Sequence, residues 1–162
     1  MHENSYNLMA ELLAKHGPPG PGDLVYDVGS QDVNGTYRPL VEQSGATYRG
    51  LDIVAGPNVD ALVPKVGSWL DVIHDKAPLV ISGQCLEHTA KPWVWIKQAA
   101  SLVALNGKLI VIAPWRWEVH RYPIDAWRIL PDGMVSLFAE ANLRLLETGI
   151  RGDDCFGVAE NC

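Results

Sequence analysis

The sequence is short of positive charge, of cysteine and of long apolar runs. Lysine and arginine together number 13 against 19 aspartates and glutamates, a formal net charge of −6 over 162 residues. That balance repels polyanions, so duplex nucleic acid is not an expected partner. No apolar run approaches the roughly 18 residues of a membrane span, so no membrane partner is expected either. The opening "MHENSYNLMAELLAKH" carries acidic residues and no long apolar stretch, unlike a secretory signal. Cys85, Cys155 and Cys162 are odd in number and lack metal-ligand spacing, which points to reduced thiols and a cytoplasmic protein. Repeated loop glycines are missing too. In "VYDVGSQDVNG", residues 25–35, Gln31 and Asn34 stand where the dinucleotide pattern G-x-G-x-x-G places its later glycines.

What is present reads as alternating strands and helices. Hydrophobic residues make up 48% and charged residues 20%, ordinary for a chain with its own core. Leu8, Met9, Leu12 and Leu13 predict an amphipathic helix over 5–16, capped by Asn4 or Ser5. "GPPGPG" (17–22) is a stiff connector. Strands are predicted at 23–29, 46–53 and 59–63, then in the continuous apolar runs 77–83 and 107–115. Helices are predicted over 35–44, over 66–75 with Ser68 as cap, over 89–105 and over 131–142 with Pro131 near the first turn. Residues 116–129 have no clean period and read as a structured loop. The strands 143–150 and 154–161 follow each other without a helix, which adds one antiparallel strand. The expectation is one α/β, Rossmann-like, three-layer domain over 1–162, with a mostly parallel seven-stranded sheet and an antiparallel last strand.

In such a sheet, ligands sit at the carboxyl ends of the strands, near the point where strand order reverses. Gly29–Gly35, Asp52 and "SGQCLEH" all fall there. An acid at the end of the second strand, Asp52, is a good acceptor for a ribose diol. A pyrophosphate needs several backbone N–H groups at close range, hence repeated glycines. One close-approach glycine, Gly29, with an acid nearby suits an amino-acid ammonium better. The loop therefore favours S-adenosylmethionine (SAM) over a dinucleotide, and one layer of 162 residues leaves no second domain for a dehydrogenase substrate.

The stretch from Val25 to about Ile150 resembles a class I SAM-dependent methyltransferase of the type 11 kind. "VYDVGSQDVNGTYR" is similar to that family's first motif, "YRGLDIVAGPNVD" to the second, "LVISGQCLEHT" to the fourth and "NGKLIVIAP" to the fifth strand. "HRYPIDAWRILPDGM" resembles a block that follows that strand in many bacterial members. The resemblance implies SAM as methyl donor and S-adenosylhomocysteine (SAH) as product. It implies that Asp27 and Gly29 line the methionine end, with Ser30 and Gln31 as further cofactor-binding residues, and that Asp52 holds the ribose. It places Ile53 against adenine, and Ser82, Gly83 and Gln84 beside the sulfonium. Asp60 is the candidate for the adenine amino group. Gln31 departs from the motif, which has glycine there.

Methyl transfer to an oxygen needs alignment and a base. His120 is the natural candidate, oriented by Asp125, with His88 as a second. Arg116, Arg121, Tyr122 and Arg128 surround that block and suit a small acceptor bearing a carboxylate, a phosphate or a nucleotide-linked sugar. Loop pinning by these same residues is the competing reading. Glu87–His88 with His120 matches no compact ligand motif, so no metal is expected. A homodimer, or a SAM-binding subunit working only with a partner chain, remains the alternative to a free-standing enzyme.

Overall fold

The computed structural model describes residues 3–162, and its seven strands form one sheet ordered β3-β2-β1-β4-β5-β7-β6. The strands are β1 (Leu24–Val28), β2 (Thr47–Asp52), β3 (Ala61–Leu62), β4 (Ala77–Gly83), β5 (Val103–Pro114), β6 (Arg144–Arg151) and β7 (Asp154–Glu160). β3, β2, β1, β4 and β5 run parallel, and β7 lies antiparallel to both β5 and β6. The helices are α1 (Glu3–His16), α2 (Arg38–Glu42), α3 (Pro92–Ser101) and α4 (Pro131–Glu140).

Strand alternation builds the layers, because successive side chains point to opposite faces of a sheet. On one face, Val25, Leu79, Ile81, Ile110 and Ile112 pack against Leu8, Met9, Leu12 and Leu13 of α1 and Leu40 and Val41 of α2. On the other, Tyr26, Val28, Val80, Leu109 and Val111 meet Ile96 and Ala99 of α3 and Met134, Leu137 and Phe138 of α4. Gly157 of β7 makes room for the Phe138 ring, which a Cβ there would overlap. Both faces are covered, as the unbroken apolar runs of β4 and β5 require.

Four local expectations are corrected. Asn4 and Ser5 are inside α1 rather than capping it: Asn4 Nδ2 donates to Asp154 Oδ2 at 2.7 Å, and Ser5 Oγ lies 2.6 Å from the Tyr37 hydroxyl. The helix expected over 66–75 shrinks to a 3₁₀ turn, Trp69–Asp71, although Ser68 does cap it. Gly67 sits at φ +107° and Val66, Val72 and Ile73 are β-branched, so the segment is poor in helix formers. Trp69 and Ile73 alone anchor it in the core. The third helix stops at Ser101, because Val103 instead pairs with Ala77 and begins β5. The helix expected over 35–44 is the shorter α2, with Pro39 in its first turn.

Strand order reverses between β1 and β4. The segments leaving these two strands, Gly29–Gly35 and Gln84–His88, therefore face each other across the switch point. Gly29 and Cys85 touch there: a Cβ on Gly29 would overlap Cys85 Sγ.

Candidate functional site

The crevice at the strand tips is built on β1 and β2. Gly29 leaves β1 with φ +79°, a conformation glycine adopts without strain. Its N–H and that of Ser30 both donate to the Leu51 carbonyl, at 2.8 and 3.1 Å, which folds the loop back over β2. Gln31 N donates to Asp52 Oδ2 at 3.1 Å, and Ile53 N and Val54 N donate to Asp52 Oδ1 at 2.7 and 3.2 Å. A carboxylate offers about four lone-pair sites, so Asp52 retains acceptor capacity for a ligand hydroxyl. Ile53 and Val54 beside it are 41% and 48% exposed and form an apolar surface of the kind an adenine ring covers. The adenosyl half of SAM fits these residues.

The methionine end is narrower than the glycine pattern suggests. The close approach at Gly29 is made by Cys85, and Tyr37 packs on Gly83 so closely that a Cβ there would overlap its hydroxyl. Asp27 is 3% exposed, and its Oδ2 accepts from the Tyr48 hydroxyl at 2.6 Å. Asn58 Nδ2 donates to that hydroxyl in turn, and Arg38 links Asn58 to Asp60. Asp60 also accepts from Gly50 N at 2.7 Å. Three of the expected site residues are tied into the protein's own hydrogen bonds. Asp60 clamps Arg38 to β2 through Oδ2. Ser82 is fully buried and donates to the Val28 carbonyl at 2.6 Å, stapling β4 to β1. Gln84 turns away from the crevice at φ +57° and donates to Asp154 Oδ1 at 2.8 Å. Gln31 lies across Gly56, whose absent side chain leaves it room.

Burial raises the Asp27 carboxyl to about 7, partly offset by the Tyr48 hydrogen bond. Folded Asp27 keeps its proton up to that pH, whereas the unfolded chain releases it near the ordinary carboxylate value. The native state binds the extra proton between those limits, so this contribution to stability falls as pH rises through the window. Asp27→Asn, which keeps an acceptor for Tyr48, is expected to flatten the profile. At pH 8 it should exceed the parent by about 2 kcal/mol. Urea melts of both proteins at pH 5 and pH 8 check this, and an unchanged pH slope would remove the assignment.

A second polar centre lies beyond β4 and β5. Glu87 and His88 sit on the 3₁₀ turn Leu86–His88, and His120 comes from the 116–129 loop. Glu87 is 0% exposed, and neither carboxylate oxygen meets a hydrogen-bond donor. Burial pushes its carboxyl up to about 8. His88 Nε2 is 3.6 Å and His120 Nε2 3.9 Å from Glu87 Oε1. The two imidazoles meet edge to face at 4.9 Å between centroids. Burial lowers the pKa of His88 below its ordinary value. Sequence spacing gave no sign of this convergence, because the turn and the loop meet only through the fold.

Asp125 is tied into the loop. Its Oδ2 accepts from His120 N at 2.8 Å and lies 3.4 Å from His120 Nδ1. Both its oxygens accept from Arg128, at 2.6 and 2.7 Å, and these hydrogen bonds hold its carboxyl well below the usual range. Arg128 donates further to the carbonyls of Trp117, Glu118 and Trp127. It is a loop pin, with no donor left over for an acceptor molecule. Arg116 pairs with Asp153 at 2.8 Å, whereas Arg121 and Tyr122 are exposed. Tyr122 stands over His88, with ring centroids 6.5 Å apart.

No family model and no curated protein matches the sequence. Solved structures do. The putative methyltransferase in complex with the Trm112 activator from Haloferax volcanii aligns over 98% of this chain and 90% of its own, with TM-score 0.69 and 18% identity. The 1,6-didemethyltoxoflavin-N1-methyltransferase of Burkholderia thailandensis, solved with SAH, aligns over 98% and 79%, with TM-score 0.69 and 13% identity. The fold is that of the class I SAM-dependent methyltransferases. The same methyltransferase fold is shared by the [4+2]-cyclase SpnF, at 12% identity and TM-score 0.71 over 96% of this chain and 81% of that one. At these identities the likeness speaks for the fold, and the chemistry has to be argued from the site.

Proposed function

We propose that the protein is a SAM-dependent methyltransferase acting on a small acceptor through an oxygen. The observation that carries this reading is Asp52, held at the tip of β2 by three backbone N–H groups beside the exposed Ile53 and Val54. Asp52 would hold the ribose, Ile53 and Val54 the adenine, and the backbone of Gly29–Gln31 and Gly83–Cys85 the methionine end. When bound, SAM supplies a methyl carbon activated by positive sulfur for in-line displacement. The chain's own contribution is alignment, which in well-oriented reactions is worth about 7–11 kcal/mol. Glu87, His88 and His120 stand past β4 and handle the acceptor's hydroxyl proton, with His120 oriented by Asp125. Arg116, Arg121 and Tyr122 rim the same loop and suit an acidic or sugar-bearing acceptor.

A second reading, a partner-dependent subunit, is favoured by one feature. Val119, Tyr122, Ile124 and Leu130 leave 38–70% of their surface exposed around the acceptor side, where a partner chain could cover them. The similar haloarchaeal structure is a complex with an activator. Ligand-dependent melting separates the readings from a nucleotide-binding protein. SAM and SAH are expected to raise the melting temperature by several degrees at saturating concentration, and NAD and ATP to leave it unchanged. Equal shifts, or none, with all four would remove both readings. SAM binding without turnover until a second chain is added would select the partner-dependent one.

A further inference from the structure

Glu87 presents an anomaly that the fold does not explain. A buried carboxylate ordinarily finds donors, because an unpaired one costs several kcal/mol. Here both oxygens lack one. The imidazole nitrogens that face them are acceptors as well. His88 Nδ1 donates to the Ile124 carbonyl at 2.6 Å, so its proton is on that nitrogen and Nε2 turns a lone pair toward Glu87. His120 repeats the arrangement: Nδ1 faces the Glu118 carbonyl at 3.0 Å and Asp125 Oδ2 at 3.4 Å, and Nε2 faces Glu87. Three electron-pair donors thus converge on one point, with all their ligating atoms within 4.8 Å of one another.

We infer that Glu87, His88 and His120 bind a divalent transition-metal ion of the zinc class. Zinc bonds to imidazole nitrogen and carboxylate oxygen run about 2.0–2.2 Å, which puts tetrahedral ligand atoms roughly 3.4 Å apart. The observed 3.6 and 3.9 Å to Glu87 Oε1 lie within a few tenths of an ångström of that spacing, and the remaining pair, the two imidazole nitrogens, lies within 4.8 Å. Metal-ligating histidines almost always donate their other ring N–H to a carbonyl or carboxylate, which fixes tautomer and ring plane. Both histidines already do so. A His₂Glu set with one open position is the pattern of catalytic rather than structural zinc. The His120 side chain is 35% exposed, which leaves a way in from solvent.

The inference deepens the methyltransferase reading and rests on it for the site's purpose. The open position takes an oxygen donor of the acceptor, a hydroxyl or carboxylate. An ion held there would lower the pKa of that hydroxyl so that its proton leaves to solvent water rather than to a free imidazole, and the resulting oxygen would take the methyl as its bond to sulfur breaks, releasing SAH. Acceptors lacking such an oxygen are excluded.

The test uses the whole untagged chain, stripped with a chelator and titrated with Zn²⁺ and Co²⁺. One equivalent of each is expected to bind, with visible Co²⁺ absorption bands of a low-coordinate nitrogen–oxygen site. Glu87→Gln and His120→Gln are expected to weaken binding at least a hundredfold, while His74→Gln, at an exposed position elsewhere, leaves it unchanged. Far-ultraviolet circular dichroism and melting of each variant show that it is folded, and His88→Gln serves if either of the others is not. Absence of Co²⁺ bands in the parent, or equal binding by parent and folded variants, overturns the site. An SAH titration of the same preparation keeps the two ideas apart. Ion binding without SAH binding removes the methyltransferase reading and leaves the metal site. SAH binding without ion binding does the reverse.

Discussion

Gly50→Ala is expected to lower the melting temperature by roughly 6–12 °C. Gly50 lies in β2 opposite Asp27 of β1, with no side chain of its own to pack. Two segments close over it. A Cβ there would overlap the Asn58 carbonyl oxygen and come within 2.6 Å of Ser30 Oγ. The first of these is backbone and cannot rotate aside. Asn58 is itself held in place, since Ser30 Oγ donates to its carbonyl at 3.3 Å and its Nδ2 donates to the Ser30 carbonyl at 2.8 Å. Overpacking of this kind costs about 3 kcal/mol, and in a chain of this length each kcal/mol moves the transition by about 2–4 °C. The effect reaches the proposed cofactor site, because the displaced segments carry Gln31 on one side and Asp60 on the other. Differential scanning calorimetry of the variant is the check. A shift under 2 °C would show that the Ser30 and Asn58 loops yield, and that the crevice is softer than its hydrogen bonds suggest.

Arg128→Ala is expected to destabilise the protein by about 3 kcal/mol and to open the 116–129 loop. The guanidinium makes a two-pronged pair with Asp125, whose side chain is 1% exposed, and donates to three loop carbonyls besides. Removing it strands the Asp125 carboxylate and frees those carbonyls together. His120 N would keep its bond to Asp125, but that carboxylate would no longer be fixed. Limited proteolysis is expected to show new cleavage within 116–129, with the melting temperature down by roughly 6–12 °C. Arg121→Ala, at an exposed position in the same loop, is the control and is expected to shift it by no more than about 2 °C. Matching behaviour of the two variants would mean that the loop is held by its tryptophans, through bonds such as Trp127 Nε1 to the Thr89 carbonyl at 2.8 Å.

The sheet was legible in the sequence wherever a strand is covered on both faces. The runs in β4 and β5 contain little but apolar residues, and no other element accepts such a run at that length. The antiparallel end followed from two adjacent strands with no helix between them. Helices failed where local propensity and tertiary pull disagree. Residues 66–75 carry apolar residues at helical spacing, yet only Trp69 and Ile73 find the core, and one turn suffices to place them. Leu102 and Val103 continued the apolar face of α3 on paper, and pairing with Ala77 took Val103 into β5 instead.

The candidate site divides along the same line. Asp52 was readable because its position at a strand tip defines its surroundings. Asp27, Ser82 and Gln84 lie in the same motifs, but their partners come from elements remote in sequence: Tyr48, Val28 and Asp154. No spacing rule reports such pairings. The Glu87, His88 and His120 cluster is the extreme case. Two of its members are adjacent and the third arrives on an irregular loop, whose path is set by Arg128 rather than by any period.

The crevice beside β1 and β2 is expected to grip an adenosyl ligand through Asp52. Isothermal titration of the purified chain with SAH tests it most directly, in parallel with folded Asp52→Ala. Saturable binding of one SAH per chain is expected, weakened at least tenfold by the substitution. No measurable heat with the parent chain, or equal affinity in the two proteins, would contradict it.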